Sequence, residues 1–401
     1  MGEVDRWSNI HQDLLYEITK RFHSYENDYL QLRLVCKQWN LKLPKIPNGN
    51  KVPWLLLPIG GGGEEEDIYH IMQLPTIDEQ ILDTGGLEEE GIYHLILPEL
   101  QDNNICGSCH GWVIIVMVHE GTIKMLNPFT KVHFELPPIS TLPNVIDING
   151  DECTIYFGGR IVTRNTILMH KTQIWKAIIN STPSNDNNND FIAVVIYGCL
   201  SSLAFYKPND KRWLRFPLRC TNICDVIFFQ EKIYAVDYEG QLYEFDTKNK
   251  SGPVGRIFEA TPPPWDVVLR KFYYLIGCDN GSLLMLIRHI RRPYIGNKKC
   301  SVETVKFYVY ELKKNEKVWS RIYDLGNYIL VIGLNSSVQM LSSNFSNCKG
   351  NQIYFTDSMC KEHPSNFASR HDLGIFNLED GSFKRLLTDV NFFCSPVWVL
   401  S

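Results

Sequence analysis

The feature that most constrains the fold is a strand–turn–strand unit that recurs from Pro53 to the last residues of the chain. Each copy combines an apolar strand, a polar turn built on Asn, Asp, Gly or Pro, and a return strand with an aromatic or bulky residue. The four clearest copies occupy residues 123–137, 203–217, 307–319 and 374–385. A second unit of the same kind precedes two other turns, at residues 231–246 and 350–357.

Two hairpins in succession form a four-stranded antiparallel meander, and repetition of such meanders is typical of a β-propeller. Blades of roughly 40–50 residues would fit about seven times into this length. We therefore predict a mainly β fold with about six or seven blades. The alternative, one or two β-sandwiches, would require the recurrent spacing to arise by chance. The similar segments 67–72 and 91–96 are either neighbouring strands or a local duplication.

The first forty-odd residues follow a different, helical pattern. Apolar residues recur at helical spacing with charged residues between them, and a second apolar stretch ends at Trp39. A unit of this size cannot bury all its large side chains by itself, so part of its surface is expected to contact a partner. Proline, glycine and asparagine then mark a linker. The predicted boundaries are 1–45 for a small all-α domain, 46–53 for the linker and 54–401 for the propeller.

Charge and hydropathy exclude several classes of partner. Forty Lys and Arg against forty-five Asp and Glu give a net charge of −5, so we expect no nucleic-acid binding. The longest apolar run, Trp112–Val118, is too short to span a bilayer, and no membrane partner is expected. The N-terminus lacks a secretory signal, which predicts reduced thiols and a location in the nucleus, the cytoplasm or both.

One motif matches a known cofactor attachment pattern. Cys106-Gly-Ser-Cys109-His110 has the spacing of c-type haem attachment, but it runs directly into an apolar strand. We interpret it as the entry to a strand, with His110 and Trp112 at a blade corner. A zinc site with Cys220 and Cys224 would need convergence of distant pairs, so buried reduced cysteines are expected instead.

The sequence contains no spacing typical of a catalytic site. The nucleophile elbow, the HExxH helix and the phosphate-binding loop are all missing from it. We therefore expect no catalytic residues, no metal and no cofactor. Three polar stretches are expected to be solvated loops: residues 60–67, residues 181–190, and the basic segment that includes 288–292 and 296–299.

The N-terminal residues resemble an F-box. Residues 7–18 and 29–39 match the family's Trp-Ser-x-Leu-Pro-x-Asp-Leu-Leu-x-x-Ile stretch and its Val-Cys-Lys-x-Trp stretch, over about forty positions. Ile10-His11 stands where the family has Leu-Pro. Because that proline normally contributes to the adaptor-binding surface, the departure implies somewhat weaker binding.

The remainder is similar to plant F-box proteins that have a KIB-type β-propeller. The resemblance spans most of residues 50–401, and Cys109 stands where that family usually has serine. The matching stretches are residues 107–112, 126–130, 136–138, 225–227, 232–237, 333–337, 349–357 and 396–398.

This resemblance implies a substrate receptor of an SCF-type cullin–RING ubiquitin ligase. The F-box would bind a Skp-family adaptor and, through it, cullin and RING subunits, while the propeller would bind an unknown protein substrate. Ubiquitin transfer itself would belong to the RING subunit and the E2 enzyme, so this chain is expected to be non-catalytic. The alternatives are a propeller enzyme or carbohydrate-binding protein, or an F-box scaffold or inhibitor that works without cullin.

The apolar pattern and the resemblance nominate the same adaptor-binding residues. We expect Trp39 and Val35 to pack the helical unit itself. The first helix carries more apolar residues than so small a core can bury, so at least one of its members should insert into the adaptor. The nominated residues are Ile10, Leu14, Leu15, Ile18, Leu30, Leu34, Val35 and Trp39.

Overall fold

A computed structural model of the chain places most of the repeat region and part of the N-terminal unit. The described residues are 10–11, 14–15, 18, 35–42, 53–58, 68–73, 92–183, 191–249, 252–263, 270–291, 294–295, 298–299, 303–345, 348–356, 372–386 and 396–400. Two of the loops expected from the sequence, 60–67 and most of 181–190, lie outside them.

Strands dominate the described residues, and most belong to four-stranded antiparallel sheets. Blade 1 is closed by the end of the chain and contains β1 (Pro53–Pro58), β2 (Ile68–Gln73), β3 (Ile92–Ile96) and β30 (Val397–Leu400). Blade 2 contains β4 (Asn104–Cys109), β5 (Trp112–Val116), β6 (Ile123–Leu126) and β7 (His133–Leu136).

A three-stranded sheet follows blade 2 and precedes two further blades. It consists of β8 (Val145–Asn149), β9 (Glu152–Phe157) and β10 (Arg160–Asn165). Blade 3 contains β11 (Ile174–Ile179), β12 (Ala193–Tyr197), β13 (Ser202–Tyr206) and β14 (Leu214–Arg215). Blade 4 contains β15 (Ile223–Phe229), β16 (Lys232–Asp237), β17 (Leu242–Asp246) and β18 (Val254–Phe258).

The last two blades are joined edge to edge in one nine-stranded sheet. Blade 5 contains β19 (Arg270–Gly277), β20 (Leu283–Arg291), β23 (Glu303–Lys313) and β24 (Val318–Ile322), with a small hairpin of β21 (Tyr294–Ile295) and β22 (Lys298–Lys299) between its second and third strands. Blade 6 contains β25 (Tyr328–Ile332), β27 (Gln352–Phe355), β28 (Gly374–Asn377) and β29 (Phe383–Arg385). The extra strand β26 (Val338–Leu341) pairs with β25 and touches β19 at Val338 and Gly277.

Helices are short in the described part of the chain. Helix α1 (Lys37–Lys42) belongs to the N-terminal unit, and α2 (Thr166–Thr172) connects β10 to blade 3. The Asn165 side chain caps α2 by accepting a hydrogen bond from the backbone N–H of Leu168 at 3.0 Å. Three short 3₁₀ turns occupy Pro98–Leu100, Ile139–Thr141 and Ser342–Asn344.

The first strands of successive blades contact one another and thereby surround a common axis. Strand β30 lies against β4, β4 against β11, β11 against β15 and β15 against β19, and in blade 6 the extra strand β26 lies against β19. Because β4 contacts β11 directly, the three-stranded sheet β8–β10 stands outside this ring. Within the described residues the propeller thus has six blades, in agreement with the prediction of about six or seven.

The ring closes by pairing the two ends of the propeller sequence. Strand β30 supplies the first strand of blade 1 and pairs antiparallel with β1, with Trp398 opposite Leu55. Both side chains are fully buried and pack against residues of blade 6. Strand β1 begins at Pro53, the last residue of the predicted linker.

The repeat seen in the sequence corresponds to a defined part of each blade. Its four clearest copies are the third and fourth strands of blades 2, 3, 5 and 6. Side-chain oxygens organise these turns: Asn127 accepts from the backbone N–H groups of Phe129 and Thr130, and Asn377 accepts from that of Glu379. The described parts of the similar segments at 67–72 and 91–96 are neighbouring strands, since β2 and β3 pair with His70 opposite His94.

We predict that residues 51–401 fold without the N-terminal unit and that closure by β30 stabilises them. Trp398→Ala removes a fully buried indole, and such truncations lower the free energy of unfolding by about 3–5 kcal/mol. Circular dichroism should show a β-rich spectrum for the fragment. Urea unfolding should show a lower free energy of unfolding for Trp398→Ala. Val254→Ala, at a side chain that is 53% exposed, is the control and should change stability little. A helical spectrum or a non-cooperative transition would contradict the propeller fold.

Candidate functional site

The described part of the N-terminal unit contains a small core centred on two of the nominated residues. Leu15 and Trp39 are buried against each other, and Ile10 and Cys36 pack partly on them. The Lys42 ammonium donates a hydrogen bond to the carbonyl oxygen of Ile10 at 2.8 Å, which ties the end of α1 to the start of the unit. The expectation that Trp39 packs this unit is therefore confirmed.

Other nominated residues remain accessible. The side chains of Leu14 and Val35 are 57% and 58% exposed, while Ile10 and Ile18 are half-buried. The expectation that Val35 packs the core was wrong, because its side chain is exposed whereas Leu15 is buried with Trp39. Leu30 and Leu34 lie outside the described residues. Leu14 and Val35 are thus the most exposed of the nominated residues that the structure describes.

The propeller axis contains a buried ion pair that connects three blades. Lys176 on β11 and Asp225 on β15 are 5% and 1% exposed, and Lys176 Nζ lies 2.5 Å from Asp225 Oδ1. The second carboxylate oxygen accepts the backbone N–H of Leu275 on β19 at 2.7 Å. Burial raises the pKa of Asp225, and Lys176 opposes that rise. One carboxylate therefore joins the innermost strands of blades 3, 4 and 5.

The haem-like motif forms a tight β-hairpin at the axis. Cys106 and Cys109 are buried in β4, and Cys109 pairs with Trp112 across a two-residue turn. His110 and Gly111 both have positive φ, 51° and 76°, as a type I′ turn requires. The Cys109 sulfur accepts the backbone N–H of Ile179 at 3.2 Å, and burial raises the pKa of its thiol to about 12. Turn geometry and strand packing therefore account for this motif.

A short segment after β25 reaches across to blade 2. The backbone N–H of Ser336 donates to the carbonyl oxygen of Ser108 at 2.8 Å, and Asn335 forms a parallel bridge with Ser108. The Asn335 amide group donates to the carbonyl oxygen of Ser336 at 2.8 Å and is fully buried. Residues 333–337, which belong to the family resemblance, thus brace the ring from blade 6 to blade 2.

One sequence expectation about the basic segment was wrong. Arg288 lies in β20, is 1% exposed, and donates to Asp372 Oδ2 at 3.0 Å and to the Thr356 carbonyl oxygen at 2.7 Å. Arg385 also pairs with Asp372, so this carboxylate binds two guanidinium groups between blades 5 and 6. The apolar strand pattern of β20 continues through Arg288. The charge of Arg288 had suggested a solvated loop instead.

Sequence reasoning missed the buried charges, although a signal for them exists. Lys176 and Asp225 each stand in the middle of an otherwise apolar strand, and a lone charge in such a run indicates a buried partner. The sequence does not say which residue is that partner. Among the described residues, no three His, Cys, Asp or Glu side chains converge as metal ligands, and no helix is long and apolar enough to cross a membrane.

We predict that the charge of Asp225 is required for stability. Asp225→Asn retains an acceptor for the Leu275 N–H but leaves Lys176 buried without its counter-charge, which costs about 3–5 kcal/mol of unfolding free energy. The double variant Asp225→Asn/Lys176→Met also removes the unpaired Lys176 ammonium, so it should recover part of the lost stability. Chemical denaturation of the three proteins measures both effects. Equal stability of the wild-type protein and Asp225→Asn would contradict the assignment.

We further predict that the motif thiols are inert in the folded protein and carry no haem. A pyridine haemochrome spectrum should show no covalent haem, and elemental analysis should show no stoichiometric zinc. With a thiol reagent at neutral pH, Cys199→Ser should remove one fast-reacting thiol, because Cys199 is exposed. Cys109→Ser should lower the number of reactive thiols only after the protein is denatured. Stoichiometric iron, or rapid labelling of Cys109, would contradict this interpretation.

Comparison with known proteins identifies the family. The family model for the KIB1-4 beta-propeller matches residues 84–377. The putative F-box protein At5g55150 of Arabidopsis thaliana is 22% identical over 297 residues, which cover 74% of this chain and 73% of the relative. The F-box protein SKIP23 of the same plant is 22% identical over 98% of this chain and 96% of its own length.

The name of a third relative contains both the F-box and the KIB designation. The F-box/kelch-repeat protein KIB1 of Arabidopsis thaliana is 22% identical over 65% of this chain and 56% of its own length. The family match covers well over half of the chain, and it agrees with the propeller formed by the described residues. The chain belongs to the KIB1-4 β-propeller family and is a plant F-box protein with a KIB-type propeller.

Proposed function

We propose that this chain is the substrate receptor of an SCF-type cullin–RING ubiquitin ligase. The helical unit would bind a Skp-family adaptor and thereby cullin and RING subunits, and the propeller would bind the protein to be ubiquitylated. The F-box relatives and the propeller support a substrate-adaptor role in general. The location that suits this role is the nucleus, the cytoplasm or both.

The observation that carries the proposal is the division of the nominated residues into a core and a surface. Leu15 and Trp39 hold the unit together, while Leu14 and Val35 present aliphatic side chains to solvent. Because both side chains are apolar and exposed, covering them with an adaptor would remove apolar surface from water and favour binding. Ile10 keeps a structural role through its contact with the core and its carbonyl bond to Lys42.

In this mechanism the chain contributes position and local concentration, and the bond-making chemistry belongs to other subunits. A client held on the propeller stays near the E2-bound ubiquitin, so its lysines meet the activated carbonyl at a high effective concentration. The buried, hydrogen-bonded charges found so far connect blades to one another. That structural use fits the non-catalytic adaptor role that the family membership suggests.

The proposal predicts that two exposed side chains carry much of the adaptor affinity. Burying an exposed Leu or Val stabilises a complex by about 1.5–3 kcal/mol, so Leu14→Ala/Val35→Ala should weaken adaptor binding by about a hundredfold or more. The measurement is a binding titration of the full chain with purified Skp-family adaptor. Because both residues are exposed, thermal stability should change little.

Two further variants serve as controls. Ile161→Ala truncates a propeller side chain that is 67% exposed, and it should leave adaptor binding unchanged. Leu15→Ala should unfold the helical unit and abolish binding together with its structure. Full adaptor affinity in the Leu14/Val35 variant would contradict the F-box surface. Adaptor binding without recruitment of added cullin would instead favour the cullin-independent scaffold.

A further inference from the structure

A groove on the side of the propeller combines fixed cations with aromatic rings. It lies between the outer strands of blade 4 and the turn that joins β23 to β24 in blade 5, and it encloses about 610 Å³. Blade 4 supplies Lys232, Glu244, Arg256 and Phe258, and the turn supplies Lys314 and Lys317. We call this surface the blade 4/5 groove.

The floor of the groove holds a carboxylate that pairs with two cations. Glu244 is 9% exposed and lies 3.0 Å from Lys232 Nζ and 2.8 Å from Arg256 Nη2. The Tyr234 hydroxyl donates to its other oxygen at 2.9 Å. Burial raises the pKa of Glu244, but the hydrogen bonds from Lys232 and Tyr234 and the nearby cations lower it by more. The net pKa is therefore below its usual value, and the carboxyl stays ionised at neutral pH. Two cations thus share one buried anion.

The opposite wall adds positive charge. Lys317 pairs with the exposed Glu259 at 2.7 Å, whereas Lys314 has no carboxylate partner within the described part of the chain. Lys314 instead lies 5.7 Å from the centre of the Phe229 ring and 3.4 Å from the Gln230 side-chain oxygen. Four cations against two carboxylates leave a formal charge of +2 in the groove, on a chain whose net charge is −5.

Apolar surface accompanies the charge. Arg256 lies over the half-buried ring of Phe258 at 5.9 Å, and Ile257 on the same strand is 51% exposed. The cations are therefore arranged beside aromatic and aliphatic surface, which suits a peptide better than a free ion. Lys232 and Arg256 are already positioned by Glu244, which reduces the ordering cost on binding.

We propose that the blade 4/5 groove binds an acidic segment of a protein partner, with Asp or Glu side chains pairing with Arg256, Lys314 and Lys317 and an apolar residue covering Ile257. This inference deepens the proposed receptor function by naming the chemical class of the client segment. The charge complementarity of the groove, set against the opposite sign of the whole chain, carries the assignment.

The test is a titration of the full-length chain with a fluorescein-labelled peptide that is rich in Glu and Asp and contains one leucine. The peptide should bind, and its affinity should fall as salt rises. Lys314→Glu/Lys317→Glu should weaken binding by about tenfold or more, because each change replaces an attraction with a repulsion. Glu259→Gln should strengthen binding, because it frees Lys317 for the peptide.

Matched controls separate this site from general attraction. Arg160→Glu reverses an exposed charge on the three-stranded sheet and should leave binding unchanged. The same peptide with Gln and Asn in place of its acids should not bind. All variants concern exposed side chains, and unchanged thermal melting verifies their folding.

Several outcomes would overturn the proposal. These are no binding of the acidic peptide, equal losses in the groove variant and the Arg160 variant, or weaker binding in Glu259→Gln. An RNA oligomer that binds more tightly than the peptide and loses binding in the same variants would also overturn it. Adaptor is not present in this assay, so failure of the F-box assignment and failure of the groove assignment remain distinguishable.

Discussion

The pairing of β30 with β1 is the constraint on which the rest of the propeller depends. Each blade buries one face against the blade before it and the other against the blade after it, so an open ring would expose the faces of its two end blades. Blade 1 avoids this because it combines the first strands of the propeller sequence with its last strand, β30, and Trp398 lies opposite Leu55 where they pair. Within the closed ring, polar groups then bridge neighbouring blades.

Such bridges explain why charged side chains are buried between blades whose interiors are otherwise apolar. Asp225 binds Lys176 of the preceding blade and the Leu275 N–H of the following one, and Asp372 binds Arg288 and Arg385 between blades 5 and 6. Apolar contacts alone hold neighbouring sheets together but specify their relative rotation poorly. A buried carboxylate with fixed partners tolerates one arrangement, because any other would leave a charge unpaired. Burial of apolar side chains thus drives the blades together, and the buried ion pairs favour one relative rotation of neighbouring blades.

The sequence predicted the repeating architecture because hairpins are local. Turn residues such as Asn127 and Asn377 act within a few positions of themselves, and strand alternation is visible in any short window. It did not predict the relations between blades, which depend on residues far apart in the chain. Arg288 was assigned to a solvated loop since its charge suggested exposure, and its partner Asp372 is more than eighty residues away. Val35 was assigned to the helical core for the opposite reason: its apolar character suggested burial, and the pattern could not show that Leu15 is buried with Trp39 while Val35 is exposed.

The two proposed binding surfaces differ in a way that fits their tasks. Leu14 and Val35 offer aliphatic surface, whose burial is insensitive to salt and favours a long-lived complex with a constant partner. The blade 4/5 groove offers charge beside aromatic rings, and electrostatic attraction raises the rate of association more than it lowers the rate of dissociation. A receptor that must capture a client, hold it during transfer and release it afterwards needs the second kind of contact at its client site. The first kind suits its attachment to the ligase. A single chain can combine both because its helical unit and its propeller follow different sequence patterns, so the apolar surface of one can change without disturbing the charged groove of the other.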